Sequence, residues 1–155
     1  MRYKNITAMV ADLNPDRPVV CLRPAELEAA AQKLVSLFPG DVLYAVKCNP
    51  LPGVLRALHR GGVRHFDTAS LNEVELIRGM FGRGVTPYFN HPVKSRQAIK
   101  TAHEDHALRH FVIDTEDELD KIEQVVGKDA IITVRLATAA GLALQHMSTK
   151  FCAPP

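Results

Sequence analysis

Asp41-Val42-Leu43-Tyr44-Ala45-Val46-Lys47-Cys48-Asn49-Pro50 sets a lysine where an apolar run gives way to a turn. Asp41 to Val46 reads as a strand covered on both faces, and Asn49-Pro50 is turn chemistry. A side chain at the carboxyl end of a parallel strand reaches the mouth of a sheet or barrel, where α/β proteins gather their active-site groups. Partial burial of Lys47 there would favour the neutral amine that attacks a carbonyl, the behaviour of a Schiff-base lysine. The competing reading is a lysine whose stem lies along the strand end while its ammonium stays in water.

Outward from this strand, elements alternate. Residues 6–13 form a short amphipathic lead, Asn14-Pro15-Asp16-Arg17-Pro18 a loop, and Val19-Val20-Cys21-Leu22 a strand. Pro24 suits the first turn of a helix running to about Leu37 and ended by Pro39-Gly40. Downstream, helices are expected at 52–59 (closed by Gly61-Gly62), 70–80, 93–104 and 115–126, with strands at 63–66, 86–89, 109–113 and 130–136. Short strands separated by helices are βαβ units and imply a parallel sheet. No repeat, low-complexity tract or linker interrupts the pattern.

Composition narrows the class. At 155 residues the chain is one domain or a piece of a larger one. A net charge of +2 is too small to argue for nucleic acid or an anionic membrane as partner. No apolar run approaches the roughly 20 residues that span a bilayer, and Met1-Arg2-Tyr3-Lys4-Asn5 lacks the apolar core of a signal peptide. Cys21, Cys48 and Cys152 are odd in number and without paired spacing, so no disulfide framework or zinc site is expected. A reducing cytoplasm fits best.

Several polar residues have two readings. Ser70-Leu71-Asn72-Glu73 and Thr115-Glu116-Asp117-Glu118 match the capping box, which offers Glu73 a structural role beside a functional one. Asp67 ends a strand as either a loop hydrogen-bonder or a site residue. His103 and His106 share a helix face but have no third ligand in sequence, so a solvated face is expected. Arg135 lies inside the apolar run 131–136. A buried arginine is costly unless paired, and its place near a strand's end points toward a site.

In order, Tyr44 to Pro50, Phe66-Asp67-Thr68-Ala69-Ser70 with Glu73, Asn90-His91-Pro92-Val93-Lys94, Phe111-Val112-Ile113-Asp114, Val134-Arg135-Leu136-Ala137-Thr138 and Ser148-Thr149-Lys150-Phe151 resemble the ornithine/lysine/diaminopimelate/arginine decarboxylases. This group depends on pyridoxal 5'-phosphate and has an alanine-racemase-like barrel. The resemblance runs from about Pro18 to Phe151, with Cys48 and the Arg-Leu-Ala-Thr strand nearest the ornithine/lysine branch. It implies an α/β fold, a partial (β/α)8 TIM-like barrel with about five of the eight parallel strands. Residues 1–17 would be a lead segment and 18–155 the amino-terminal portion of the cofactor-binding barrel. Lys47 would form the internal aldimine with pyridoxal phosphate, as the catalytic and cofactor-bearing residue. Asp67, Ser70, Glu73 and Arg135 would line the cofactor pocket. The substrate would be an ornithine- or lysine-like amino acid in polyamine biosynthesis, and the complete protein a homodimer. No role carries over to Cys48, which is expected to pack as a small apolar residue.

The departures from the family pattern are specific. The cofactor-stacking histidine, the glycine-rich phosphate loop and a second, all-β domain are not found, and Gly141 stands alone. Where the family usually has glycine after Lys-Phe, this chain reads Cys152-Ala153-Pro154-Pro155. An open barrel of this kind would leave strand edges and an apolar inner face uncovered. The chain is therefore expected to be a fragment or truncated product, inactive alone and weak in cofactor binding. The alternative is a non-catalytic homologue that binds or regulates a full-length decarboxylase. A small single-domain member of the same barrel class is a weaker third reading.

Overall fold

A computed structural model describes residues 2–137 and 152–153 of the chain. Thr138, Gly141 and Ser148-Thr149-Lys150-Phe151 lie outside them. The described elements are α1 (Ile6–Leu13), α2 (Pro24–Leu37), β1 (Leu43–Ala45), α3 (Pro52–Arg60), β2 (His65–Thr68), α4 (Leu71–Phe81), β3 (Thr86–Phe89), α5 (Arg96–Glu104), β4 (His110–Ile113), α6 (Glu116–Val126) and β5 (Ile131–Val134). The strands form one sheet in the order β1-β2-β3-β4-β5, every neighbouring pair parallel.

Two hydrophobic clusters place the helices α2 to α6 on one face of this sheet. Phe66 and Val46 pack with Ala31, Leu55, Leu58 and Ile77 in the first. Phe89, Phe111 and Ile113 pack with Val74, Ile99, Ala102 and Ile122 in the second. A doubly wound sheet would carry helices on both faces and reverse its strand order. Sequential order with helices on one side is the arc of a (β/α) barrel. At α3's end the packing is so close that a Cβ on Gly61 would lie 2.5 Å from the Glu28 carbonyl oxygen on α2. Only glycine fits there.

Caps explain most helix starts. Ser70, Ser95 and Thr115 each accept a hydrogen bond from the backbone N–H three residues on, and Pro24 and Pro52 occupy the first turns of α2 and α3. Ser95 corrects the expected start of α5. Asn90 to Lys94 is loop, because the hydroxyl of Ser95 satisfies the free amide of Ala98 at 3.1 Å.

Val19-Val20-Cys21-Leu22 is not a strand. It pairs with no edge among the described residues, and Val20 is 94% exposed. A strand needs a partner to satisfy its amides, and apolar content alone does not supply one. β2 begins two residues later than expected, at His65, and β5 ends at Val134. The face opposite the helices also differs from expectation. Alternation and register put Asp67, Tyr88 and His110 in one row across β2, β3 and β4, so this face is polar and aromatic there rather than apolar.

Candidate active site

The carboxyl ends of the five strands converge on one rim of the sheet. β1 stops at Ala45 and continues as a single 3-10 turn, Val46–Cys48. Val46 turns inward and is fully buried, while Lys47 is exposed. The expected cover on both faces of β1 and partial burial of Lys47 are therefore not present: Leu43 is 38% exposed, because the helices cover only one face. Cys48 is likewise exposed and not packed as a small apolar residue. Tyr44 steadies the turn by donating from its hydroxyl to the Asn49 carbonyl at 3.3 Å.

Asp67 lies on the next strand, directly paired with Ala45 and thus two residues back from Lys47 along the register. It is half-buried. Neither side chain has a hydrogen-bond or ion-pair partner among the described residues. An amine in the turn after β1 and a carboxylate on β2 are thus uncommitted among the described residues.

Ser70 and Glu73 are committed. The Glu73 amide donates to Ser70 Oγ at 3.3 Å, and Glu73 Oε2 accepts the Ala69 N–H at 2.7 Å. This is the capping box, with the carboxylate reaching one amide further back than its usual target. It fixes the Thr68-Ala69-Ser70 turn that follows Asp67. The structural reading of Glu73 is thus present in full.

Arg135 sits just past β5, half-buried, rather than inside the strand. Its amide donates to the Ile113 carbonyl at 2.8 Å, and its carbonyl accepts the Ala153 N–H at 2.8 Å. The register Ile113↔Val134 sets Asp114 beside Arg135, and Asp114 Oδ2 accepts the Cys152 N–H at 3.2 Å. The rim thus carries Lys47 after β1, Asp67 near the end of β2, Asp114 after β4 and Arg135 after β5, with Ser70 and Glu73 in and after the turn that follows β2. No glycine-rich amide cradle stands among the described residues at this rim.

Sequence reasoning gave Lys94 and Glu118 no paired role. Lys94 Nζ is completely buried, 3.0 Å from Glu118 Oε1, and donates to the carbonyls of Val112 at 2.7 Å and His91 at 2.9 Å. Glu118 also accepts the Lys94 amide at 3.1 Å and pairs with Lys121. Burial pushes the Lys94 pKa down, against the pull of Glu118. The Thr115 capping box is consequently only half formed. Glu118's amide binds Thr115 Oγ1, but its carboxylate turns inward to the lysines. The visible signal was Lys121, one turn along the helix from Glu118.

His103 meets the Leu108 carbonyl at 3.1 Å, and no metal-ligand cluster occurs among the described residues. A cavity of about 1060 Å³ lies under α1 and the 19–24 segment, away from the rim. It reflects how loosely the lead segment covers α2, and neither Lys47 nor Asp67 lines it. Among the described residues no helix is long and apolar enough to cross a membrane.

Comparison with known proteins agrees with this fold. The family model for the pyridoxal-dependent decarboxylases, pyridoxal binding domain, matches residues 25–154. The chain belongs to this family. It is 37% identical over 113 residues to a lysine/ornithine decarboxylase of Selenomonas ruminantium, covering 73% of this chain and 28% of that relative. Among solved structures, a variant of SrLDC in complex with PLP superposes with a TM-score of 0.80 at 29% identity, over 99% of this chain and 40% of the other. A lysine/ornithine decarboxylase from Vibrio vulnificus complexed with putrescine gives 0.77 at 26% identity, over 100% and 40%. The chain thus spans less than a third of the Selenomonas relative's length. The (β/α) arc belongs to the family's barrel, and five of its strands lie among the described residues.

Proposed function

We propose that this chain is the lysine-bearing portion of a pyridoxal-phosphate-dependent decarboxylase acting on ornithine- or lysine-like amino acids, with Lys47 as the cofactor-bearing residue. The observation that carries the proposal is an exposed, uncommitted amine at the end of β1, beside an uncommitted Asp67, in a chain of this family. An amine, a carboxylate and a guanidinium on one rim fit a phosphorylated aldehyde cofactor. The phosphate cradle is not among the described residues, so the fit rests on the lysine side of the site.

When bound, pyridoxal phosphate supplies an electron sink for the electrons left as a carboxyl group departs as carbon dioxide. Lys47 Nζ is the attachment point and needs to lose a proton to act as a nucleophile. Asp67 sets a carboxylate at the end of the neighbouring strand, where it can accept a hydrogen bond from a donor on the bound ligand. Ser70 and Glu73 hold the turn after Asp67 rigid, which keeps that carboxylate in place. Arg135 places a planar guanidinium at the β5 end of the rim, a group that pairs with anions. The Vibrio relative solved with putrescine supports a diamine-forming reaction and a role in polyamine biosynthesis. A homodimer of the complete protein, in the cytoplasm, belongs to the same reading.

The test is chemical labelling. The chain is incubated with pyridoxal phosphate, reduced with borohydride and digested, and the peptides are mapped by mass. A phosphopyridoxyl mass concentrated on the Lys47 peptide, and lost in Lys47→Ala, is expected. Equal labelling of all exposed lysines would remove Lys47 from its role.

A further inference from the structure

The opposite end of the sheet carries a second polar cavity. It has a volume of about 320 Å³ and opens where β3, β4 and β5 begin. Its wall includes Arg78, Arg83, Arg109, His110, Thr86 and Ile131, and no carboxylate among the described residues lines it. Arg83 and Arg109 are exposed. Arg78 is half-buried, with Nη1 donating to the carbonyls of Val85 at 2.8 Å and Gly82 at 3.1 Å and Nη2 to that of Ala107 at 3.4 Å, while its Nε is buried with no hydrogen-bond partner among the described residues.

A concave site with three guanidinium groups and no acid is electrostatically unbalanced. Burial and the like charge of Arg83 both push the pKa of Arg78 down. Arg109 is tethered by its Nε to the Asp129 carbonyl at 2.9 Å, which leaves its terminal nitrogens available. Guanidinium forks match the paired oxygens of a phosphate better than a point charge does. The volume falls at the small end of ligand pockets, suited to a phosphate with a short stem.

We infer that this arginine-lined cavity at the amino ends of β3, β4 and β5 binds a small phosphate-bearing anion, at a site distinct from the Lys47 rim. It lies at the far ends of the strands from Lys47, so its occupant would not touch the reacting atoms. It is also independent of whether the chain binds pyridoxal phosphate.

The test uses inorganic phosphate as probe on the 155-residue chain, followed by thermal shift and by phosphorus NMR line broadening, with sodium chloride matched in ionic strength. A saturable stabilisation by phosphate beyond that of chloride is expected. In Arg83→Gln/Arg109→Gln the phosphate affinity should fall about tenfold or more, as loss of charge-assisted hydrogen bonds predicts. Both side chains are exposed, so the variant should keep the fold, checked by circular dichroism. Lys47→Ala should bind phosphate as the parent does. No saturable effect, an effect equalled by chloride, or affinity lost in Lys47→Ala and kept in the arginine variant would each overturn the inference.

Discussion

Lys47 and Lys94 both follow strands of the same sheet and emerge at the same end, yet they are opposite in environment. Lys47 is exposed with no partner among the described residues. Lys94 is sealed beneath the β3–α5 loop against Glu118 and backbone carbonyls. The difference teaches that position at a strand's carboxyl end does not by itself make a lysine reactive. The two amines differ in availability. A buried ammonium held by acceptors on all sides is a bolt between β4, α6 and the loop, and chemistry there would cost the loop its anchor.

Replacing each lysine should separate the two roles. Lys94→Met leaves Glu118 buried beside unsatisfied carbonyls and should cost about 3–5 kcal/mol in a denaturant melt. Lys94→Met/Glu118→Gln should recover part of that loss, since a neutral amide strands no charge and its oxygen can still accept the buried backbone N–H of residue 94. A single-variant cost below 1 kcal/mol would break the comparison.

Ser70→Ala tests the turn beside Asp67. It should destabilise by about 1 kcal/mol through the lost cap of α4, and in labelling experiments it should reduce selectivity for Lys47 without abolishing it. A smaller effect comes from His110. Burial, followed by the charges of His65 and Arg109, holds its pKa below 6.5, so the unfolded chain binds this proton more readily. Stability should therefore fall as pH drops from about 6.5 through the folded value, as urea melts at stepped pH would show. His110→Phe should flatten part of that slope, with His59, also depressed by burial, supplying another part. Lys47→Met should change stability least, within about 0.5 kcal/mol.

The sequence carried the alternation of elements well because the signals were local. Pro24, the Gly61-Gly62 stop, Ser70 and Thr115 each mark a boundary through their own backbone chemistry. The failures came from tertiary facts. Val19 to Leu22 has strand composition and no edge to pair with. Thr115-x-x-Glu118 has the capping spacing, yet a buried ammonium outcompetes the helix amide for the carboxylate. At the rim, the order of Lys47, Asp67 and Arg135 was legible, while the choice between a partly buried and an exposed Lys47 was not. Burial depends on what the other face of the sheet meets, and no local pattern encodes that.

The strictly sequential strand order has a kinetic consequence. Each strand finds its neighbour across a single helix, and each hydrophobic cluster is assembled mostly from consecutive elements. Loop closure is therefore short at every step, and contacts accrue between nearby parts of the chain. Either cluster can consolidate before the other, with α4, which feeds Ile77 to one and Val74 to the other, as the hinge on which the second half templates onto the first.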